Sequence, residues 1–431
     1  LKPTYNKYKN SDFIYTNQIT DDWEYIKFKY LFEERKTKGF PNEPLLVASQ
    51  DKGVVLKDSY GRRTTTATKD LHLLKLVHKR DFVISLRSFE GGIEISYERG
   101  IISPAYTVFF PKKNVNSYYY KHLFKSHSFI ALLKTCVTGI REGQNIDYNI
   151  IKDEYIPIPP IETQNLIVAY LDRKERQIKK FIRNKRELLS LTENQLYALV
   201  FGTKGQQEVK EWEDLFDKNW EIKKGKWIFN ERNIKNHPNE RLLAATQSRG
   251  LVFKDEIEEN YVTATQTDGL KLVCNGDFVI SLRSFEGGIE LSEVQGITSP
   301  AYTMFYLKDE YKKLKNLKYY YKYLFKSSQF IGLLNTVVSG IREGKNISFR
   351  DFRDLKIPIP DQKTIDSIYK LHIKLVDTKN LIKKENELSK NLLSTLIENV
   401  VTGKLQAPKS FEKKPITISK AAEPATTYKT L

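Results

Sequence analysis

The side chains here whose types and spacing suggest chemistry are arginines, glutamines and hydroxyl residues in glycine-rich surroundings, and the chemistry they suggest is recognition. Arg87-Ser88 and Arg283-Ser284 each follow a short apolar run and precede Phe-Glu-Gly-Gly. A guanidinium there can bridge phosphates or present a two-pronged fork to guanine, and the paired glycines permit close backbone approach. The competing reading is a structural hairpin held by a local pair with Glu90 or Glu286. Arg141, and Arg342 with Lys345, sit in glycine-containing loops suited to phosphate, or else to docking a loop on its own domain. Gln50 and Gln247 carry the amide that pairs with adenine. Downstream of them the chain reads KDSYGRRTTTATKD in one place, with Arg62, Arg63 and Thr65, and KDEIEENYVTATQTD in another, with Gln266. Arg249 stands between Gln247 and that second stretch. Such a basic-for-acidic exchange would change which bases are tolerated, the plainer alternative being a solvated variable loop.

Catalytic signatures are missing. There is no phosphate-binding Gly-x-x-x-x-Gly-Lys-Ser/Thr loop and no Gly-x-Gly-x-x-Gly. The Asn/Asp-Pro-Pro-Tyr/Phe signature of amino-methyltransferases is absent, and Pro157-Ile158-Pro159-Pro160 lacks the polar residue that would hold an amine. Asp361-Gln362-Lys363 has the look of a nuclease carboxylate–lysine pair without its acidic partner. Two cysteines, Cys136 and Cys274, and six scattered histidines make no zinc cluster or disulfide framework. The expectation is a reader with no catalytic residue, no metal and no cofactor of its own.

The elements that must position these residues come in two copies. Phe82–Glu94 reads FVISLRSFEGGIE, and residues 278–290 repeat it letter for letter. GIISPAYTVF from Gly100 answers GITSPAYTMF from Gly296, and TGIREGQNI from Thr138 answers SGIREGKNI from Ser339. ASQDKGVVLKD from Ala48 pairs with ATQSRGLVFKD from Ala245, and Trp23-Glu24 with Trp220-Glu221. The offset stays near roughly 196–201 residues, too long for a solenoid repeat and right for a duplicated domain. Within each copy the pattern is α+β: Phe82–Leu86 predicts a buried strand, Gly91-Gly92 a turn, and Tyr118–Leu133 and Tyr319–Leu334 one helix each.

After each IPIP phrase, residues 161–200 and 364–401 lack Pro and Gly. Apolar residues recur at spacings of three and four: Ile167, Leu171, Ile178, Ile182, Leu189, Leu196 and Leu199, then Ile368, Leu375, Ile382, Leu388, Leu392, Leu396 and Val400. Each predicts a helix of about 60 Å, at 1.5 Å per residue, stopped at Gly202 or Gly403. Neither can bury its stripe alone, so the two should pair as an antiparallel coiled coil, with Ile178, Leu189, Leu375 and Leu392 in its core. The flanking Arg183, Lys185, Lys383 and Lys384 are left for solvent, a partner or nucleic acid.

Bulk properties agree. The 431 residues exceed a typical single core, and Lys+Arg at 71 against Asp+Glu at 53 gives a net charge of +18. That surplus, with a pI near 9.4, favours a polyanion, since basic side chains gain by displacing counterions condensed on phosphates. Mean hydropathy is −0.50. No run is long and apolar enough for a membrane, the start from Leu1 to Asn10 is polar and predicts no signal peptide, and a reducing cytoplasm fits.

Several phrases together resemble the specificity subunit of type I restriction–modification systems: Lys7-Tyr8-Lys9 followed by Trp23-Glu24, GDFVISLRS at Gly276–Ser284, GIxSPAY, and SGIREGKNI before IPIP. The likeness spans about residues 5–405. It implies two target-recognition domains alternating with two helical spacers: 1–157, spacer 158–205, 206–358, spacer 359–406, and a tail 407–431. It implies double-stranded DNA as ligand, each domain reading one half of a bipartite target. It implies as partners two DNA adenine methyltransferase subunits and restriction subunits that translocate and cleave DNA, with S-adenosylmethionine and ATP held by those partners. A stand-alone DNA-binding or decoy protein of a defence system is the alternative.

Overall fold

The computed structural model describes residues 5, 8–13, 16–61, 70–138, 145–202, 211–246, 249–257, 269–282, 284–337 and 347–411. It divides into two compact units, one of residues 1–182 with 385–431, the other of residues 183–384. Each is α+β, and the ladders between named strands are antiparallel, with isolated parallel bridges such as Leu45 to Ile101 and Leu242 to Ile297.

In the first unit the central sheet runs Phe32–Arg35, Thr107–Pro111, Phe82–Ile84, Glu94–Ile95. The second unit repeats that order with Phe229–Arg232, Thr303–Leu307, Phe278–Ile280 and Glu290–Leu291. Each copy is closed by pairing its first repeated phrase with its last: Ile158 lies opposite Glu24, and Ile359 opposite Glu221.

Aromatic rings fill both cores. Phe32, Phe82, Phe109, Tyr120 and Phe124 interlock in the first, and Phe229, Phe278, Phe305, Tyr321 and Phe325 in the second. One exchange shows how closely each is packed. The first unit uses Phe28 with Ile151; the second has Gly225 with Phe352, and a Cβ on Gly225 would lie 3.1 Å from the Phe352 ring. A large ring is needed in that space, and the copies supply it from opposite ends of the domain. A buried Arg–Asp fork recurs as well. Arg35 holds Asp81 at 2.6 and 3.2 Å, and Arg232 holds Asp277 at 2.7 and 3.1 Å, each guanidinium lying 4.4 Å from an aromatic ring.

Two expectations within the domains need correction. The run at 118–133 is two helices, Ser117–Leu123 and His127–Thr135, and its counterpart is Leu317–Leu324 and Ser328–Val337. The break falls at Ser126 and Ser327, whose hydroxyls accept from the N–H of Phe129 and Phe330 and so cap a new helix start. Apolar spacing continues across the break and hides it from sequence inspection. The segment at Gly91 also differs from a simple turn: Ser88–Gly91 makes a single helical turn before Gly92, at φ +81.

The long helices run Ile161–Val200 and Gln362–Val401, stopping before left-handed Gly202 and Gly403. Their apolar stripe is buried only towards the ends. Ile167 and Leu171 with Val400 and Val401 belong to the core of the first unit. Leu196 and Val200 with Ile365, Ile368 and Leu375 belong to that of the second. Leu392, expected in a helix-pair core, is 64% exposed, and Leu388 of the same stripe is 59% exposed. Only the ends lie against sheet and helix together, and mid-helix side chains lack that second layer. Buried tyrosines secure the helix ends: Tyr119 donates to the Val401 carbonyl at 2.8 Å, and Tyr320 to that of Val200 at 3.2 Å.

Candidate nucleic-acid interface

In the first unit, the hairpin of strands Leu46–Ser49 and Gly53–Leu56 turns at Gln50–Lys52. Its tip needs the left-handed Gly53, φ +77, where a Cβ would meet the Ile95 carbonyl at 2.9 Å. Facing it, the chain leaves strand Phe82–Ile84 as the loop Ser85-Leu86-Arg87 and enters the turn at Ser88. Hairpin tip and loop line an open cleft of about 560 Å³, joined by Tyr60, Glu90, Glu94 and Tyr106. Gln50 packs so closely on the turn that a Cβ at Gly91 would come within 2.6 Å of its side chain. Residues 50 and 87, expected as contacts on separate grounds, are therefore brought together.

Arg87 is exposed, and its guanidinium has no ion pair or hydrogen bond among the described residues, so the local pair with Glu90 does not form. Ser88 points inward, 1% exposed, and its hydroxyl accepts the Ser85 N–H at 2.8 Å. Ser284 does the same for Ser281 at 2.9 Å. These two hydroxyls fix the loop from beneath. Arg249 is exposed at the tip of the second hairpin, its backbone N–H bonded to the Thr246 hydroxyl at 3.0 Å. Arg62, Arg63, Thr65, Arg141, Gln247, Gln266, Arg283, Arg342 and Lys345 lie outside the described residues.

Beneath the cleft, Lys125 ties the parts together. Its ammonium donates to the Gly91 carbonyl at 2.8 Å and the Gln50 carbonyl at 3.3 Å, and pairs with the Glu94 carboxylate. Burial holds the Glu94 carboxyl above the usual carboxylate range, and Lys125 offsets only part of that rise. Lys326 repeats the arrangement with the Gly287 carbonyl at 2.8 Å and Glu290. Residue-type reasoning passed over these lysines. The signal available was the repeated Leu-Phe-Lys-Ser at 123–126 and 324–327. Tyr106, likewise unremarked, stands in the repeated SPAY phrase, and Lys75 donates to its carbonyl at 2.7 Å.

The cleft mixes signs. Arg87 provides a fork of donors, Gln50 both donor and acceptor, and Asp51 and Glu90 acceptors alone. Carboxylates repel phosphate, so this set suits base edges better than a bare backbone track would. Among the described residues no group of His, Cys, Asp and Glu could hold a metal ion, and no helix is long and apolar enough to cross a membrane.

Residues 20–188 match the family model described as type I restriction modification DNA specificity domain. The second unit repeats the phrases of the matched residues on the same sheet order. A solved chain from work on complex assembly and conformational transition of the type I R-M system is similar in fold, with a TM-score of 0.57 at 13% identity, covering 90% of this chain and 99% of that chain. The HsdS subunit from Thermoanaerobacter tengcongensis matches with a TM-score of 0.49 at 13% identity, over 90% of this chain and 98% of that chain. The type I restriction-modification S subunit from M. genitalium matches with a TM-score of 0.37 at 13% identity, over 92% and 99%. At 13% identity, the match with a TM-score of 0.57 speaks to fold alone. No curated protein sequence matches the chain.

Proposed function

We propose that the chain is the DNA-reading subunit of a type I restriction–modification complex, each recognition domain reading one half of a bipartite double-stranded target. The observation that carries this reading is the cleft that brings Gln50 and Arg87 together on a frame present twice. Gln50 pairs with adenine and Arg87 with guanine or phosphate, while the differing sequence that follows the glutamine, Asp51-Lys52 in one copy and Ser248-Arg249 in the other, gives the halves different targets. Domains at 1–157 and 206–358 alternate with helical spacers at 158–205 and 359–406, which pair antiparallel and set the gap between the halves.

The helices also dock two DNA adenine methyltransferase subunits. Exposed leucines on single helix faces support this: Leu188 and Leu191 at 50% and 56%, and Leu381, Leu388 and Leu392 at 57%, 59% and 64%. Apolar rows of this kind mark protein contacts. S-adenosylmethionine and ATP belong to the methyltransferase and restriction subunits. This chain directs their chemistry in the cytoplasm without performing any.

The test is co-expression with its methyltransferase subunit in a methylation-free host and genome-wide mapping of methyladenine. A bipartite motif with a fixed gap is the expected result, and Gln50→Ala should relax one half of it alone. A stable complex that methylates nothing, or Gln50→Ala with an unchanged motif, would remove the assignment.

A further inference from the structure

The loop Ser85-Leu86-Arg87 presents a leucine to water. Leu86 is 45% exposed, and Leu282 at the matching position of the second copy is 49% exposed, whereas the strands before them, Phe82–Ile84 and Phe278–Ile280, are buried throughout. A lone exposed leucine carries no information, since folded surfaces hold many. These two differ in three respects. They occupy one position in both copies. Each loop is pinned by a buried serine hydroxyl accepting the backbone N–H of the residue before the leucine, at 2.8 Å in one copy and 2.9 Å in the other. And Leu86 lines the cleft that holds Gln50 and Arg87.

Its neighbours indicate what it touches. A protein-docking surface is a contiguous apolar patch, as on the long helices. Leu86 instead stands among Ser85, Arg87, Gln50, Asp51 and Glu90. An apolar tip on a rigid loop amid groups that pair with base edges and phosphates matches the side chains that enter a base step and partly unstack it.

We propose that Leu86 and Leu282 are wedges that enter the DNA base stack beside each recognised half of the target. The proposal rests on the DNA-reading function above and extends it. Methylation of an adenine amine requires the base to leave the stack, and a wedge offsets the unstacking it costs. Unstacking asks little of sequence, which accounts for an identical loop in both copies beside hairpin tips that differ.

The experiment uses the full chain in complex with its methyltransferase subunit, and its mapped target carrying 2-aminopurine beside the methylated adenine of one half. Wild type should raise the fluorescence on binding. Leu86→Ala should lose most of that rise in the half read by the first domain, and slow methylation there about tenfold, with affinity changed less than about fivefold. Leu86→Phe should retain both signals, and Leu282→Ala should shift the loss to the other half. Unchanged fluorescence and methylation in Leu86→Ala would overturn the wedge, as would loss of the methyltransferase from that variant on gel filtration, which would make the leucine a protein contact. A wild-type complex that binds no specific DNA would remove the underlying function and the wedge with it.

Discussion

Lys125 reaches the backbone carbonyl of Gln50 at 3.3 Å across 75 positions of sequence, while its charge is matched by the buried Glu94. One side chain thus sets the height of the hairpin tip over the turn at Gly91 and stops the loop below from opening. The cleft is held by charge from beneath and by packing from the side.

Replacing Lys125 with Met should therefore act on both stability and recognition. Glu94, 3% exposed, would be left without its cation, at a cost of about 2–4 kcal/mol in urea unfolding. Lys125→Met combined with Glu94→Gln should recover much of that loss. The double variant should still bind DNA less well than wild type, because Gln50 has lost its tether. Equal unfolding energies for wild type and Lys125→Met would show that the pair contributes nothing.

Gly92 should tolerate no side chain. Its φ is +81, and a Cβ would stand 2.2 Å from the Phe124 carbonyl, a backbone atom that cannot swing aside. Gly92→Ala should cost more than about 4 kcal/mol or yield insoluble protein. Gly39 is the control: at φ +92 with nothing within 4 Å, its alanine variant should cost about 1 kcal/mol of backbone strain. Gly288, 2.2 Å from the Phe325 carbonyl, should behave like Gly92. Chemical denaturation of the three variants measures the difference.

His372 should make the second unit sensitive to mild acid. It is 4% exposed, stacks on Tyr319 at 4.4 Å and lies 2.7 Å from the Tyr323 hydroxyl through Nδ1. Burial, aided by the charge of Lys322 and opposed by Glu293, lowers its pKa from 6.5 to about 4. A depressed histidine pKa means that the neutral ring is the folded form. Its contribution is full above pH 6.5 and is lost as pH falls from there towards 4, up to about 3 kcal/mol. Unfolding free energy measured across that window should fall more steeply for wild type than for His372→Gln. Parallel slopes would exclude the histidine as the source.

The sequence by itself determined the duplication, the two long helices and their glycine stops, because these depend on local spacing and on literal repetition. It also marked Gln50 and Arg87 through residue type beside repeated phrases. Tertiary structure alone decided that those two residues share a cleft, that Lys125 holds it, and that Ser88 and Ser284 turn their hydroxyls inward. Those outcomes depend on contacts between segments far apart in the chain, which no periodicity records. The same reason separates the helix breaks at Ser126 and Ser327 from the apolar spacing that runs through them. Spacing reports which face is buried, whereas a cap reports where hydrogen bonding stops. Phe28 with Ile151 and Gly225 with Phe352 mark the same limit, since shared core volume joins residues more than a hundred positions apart.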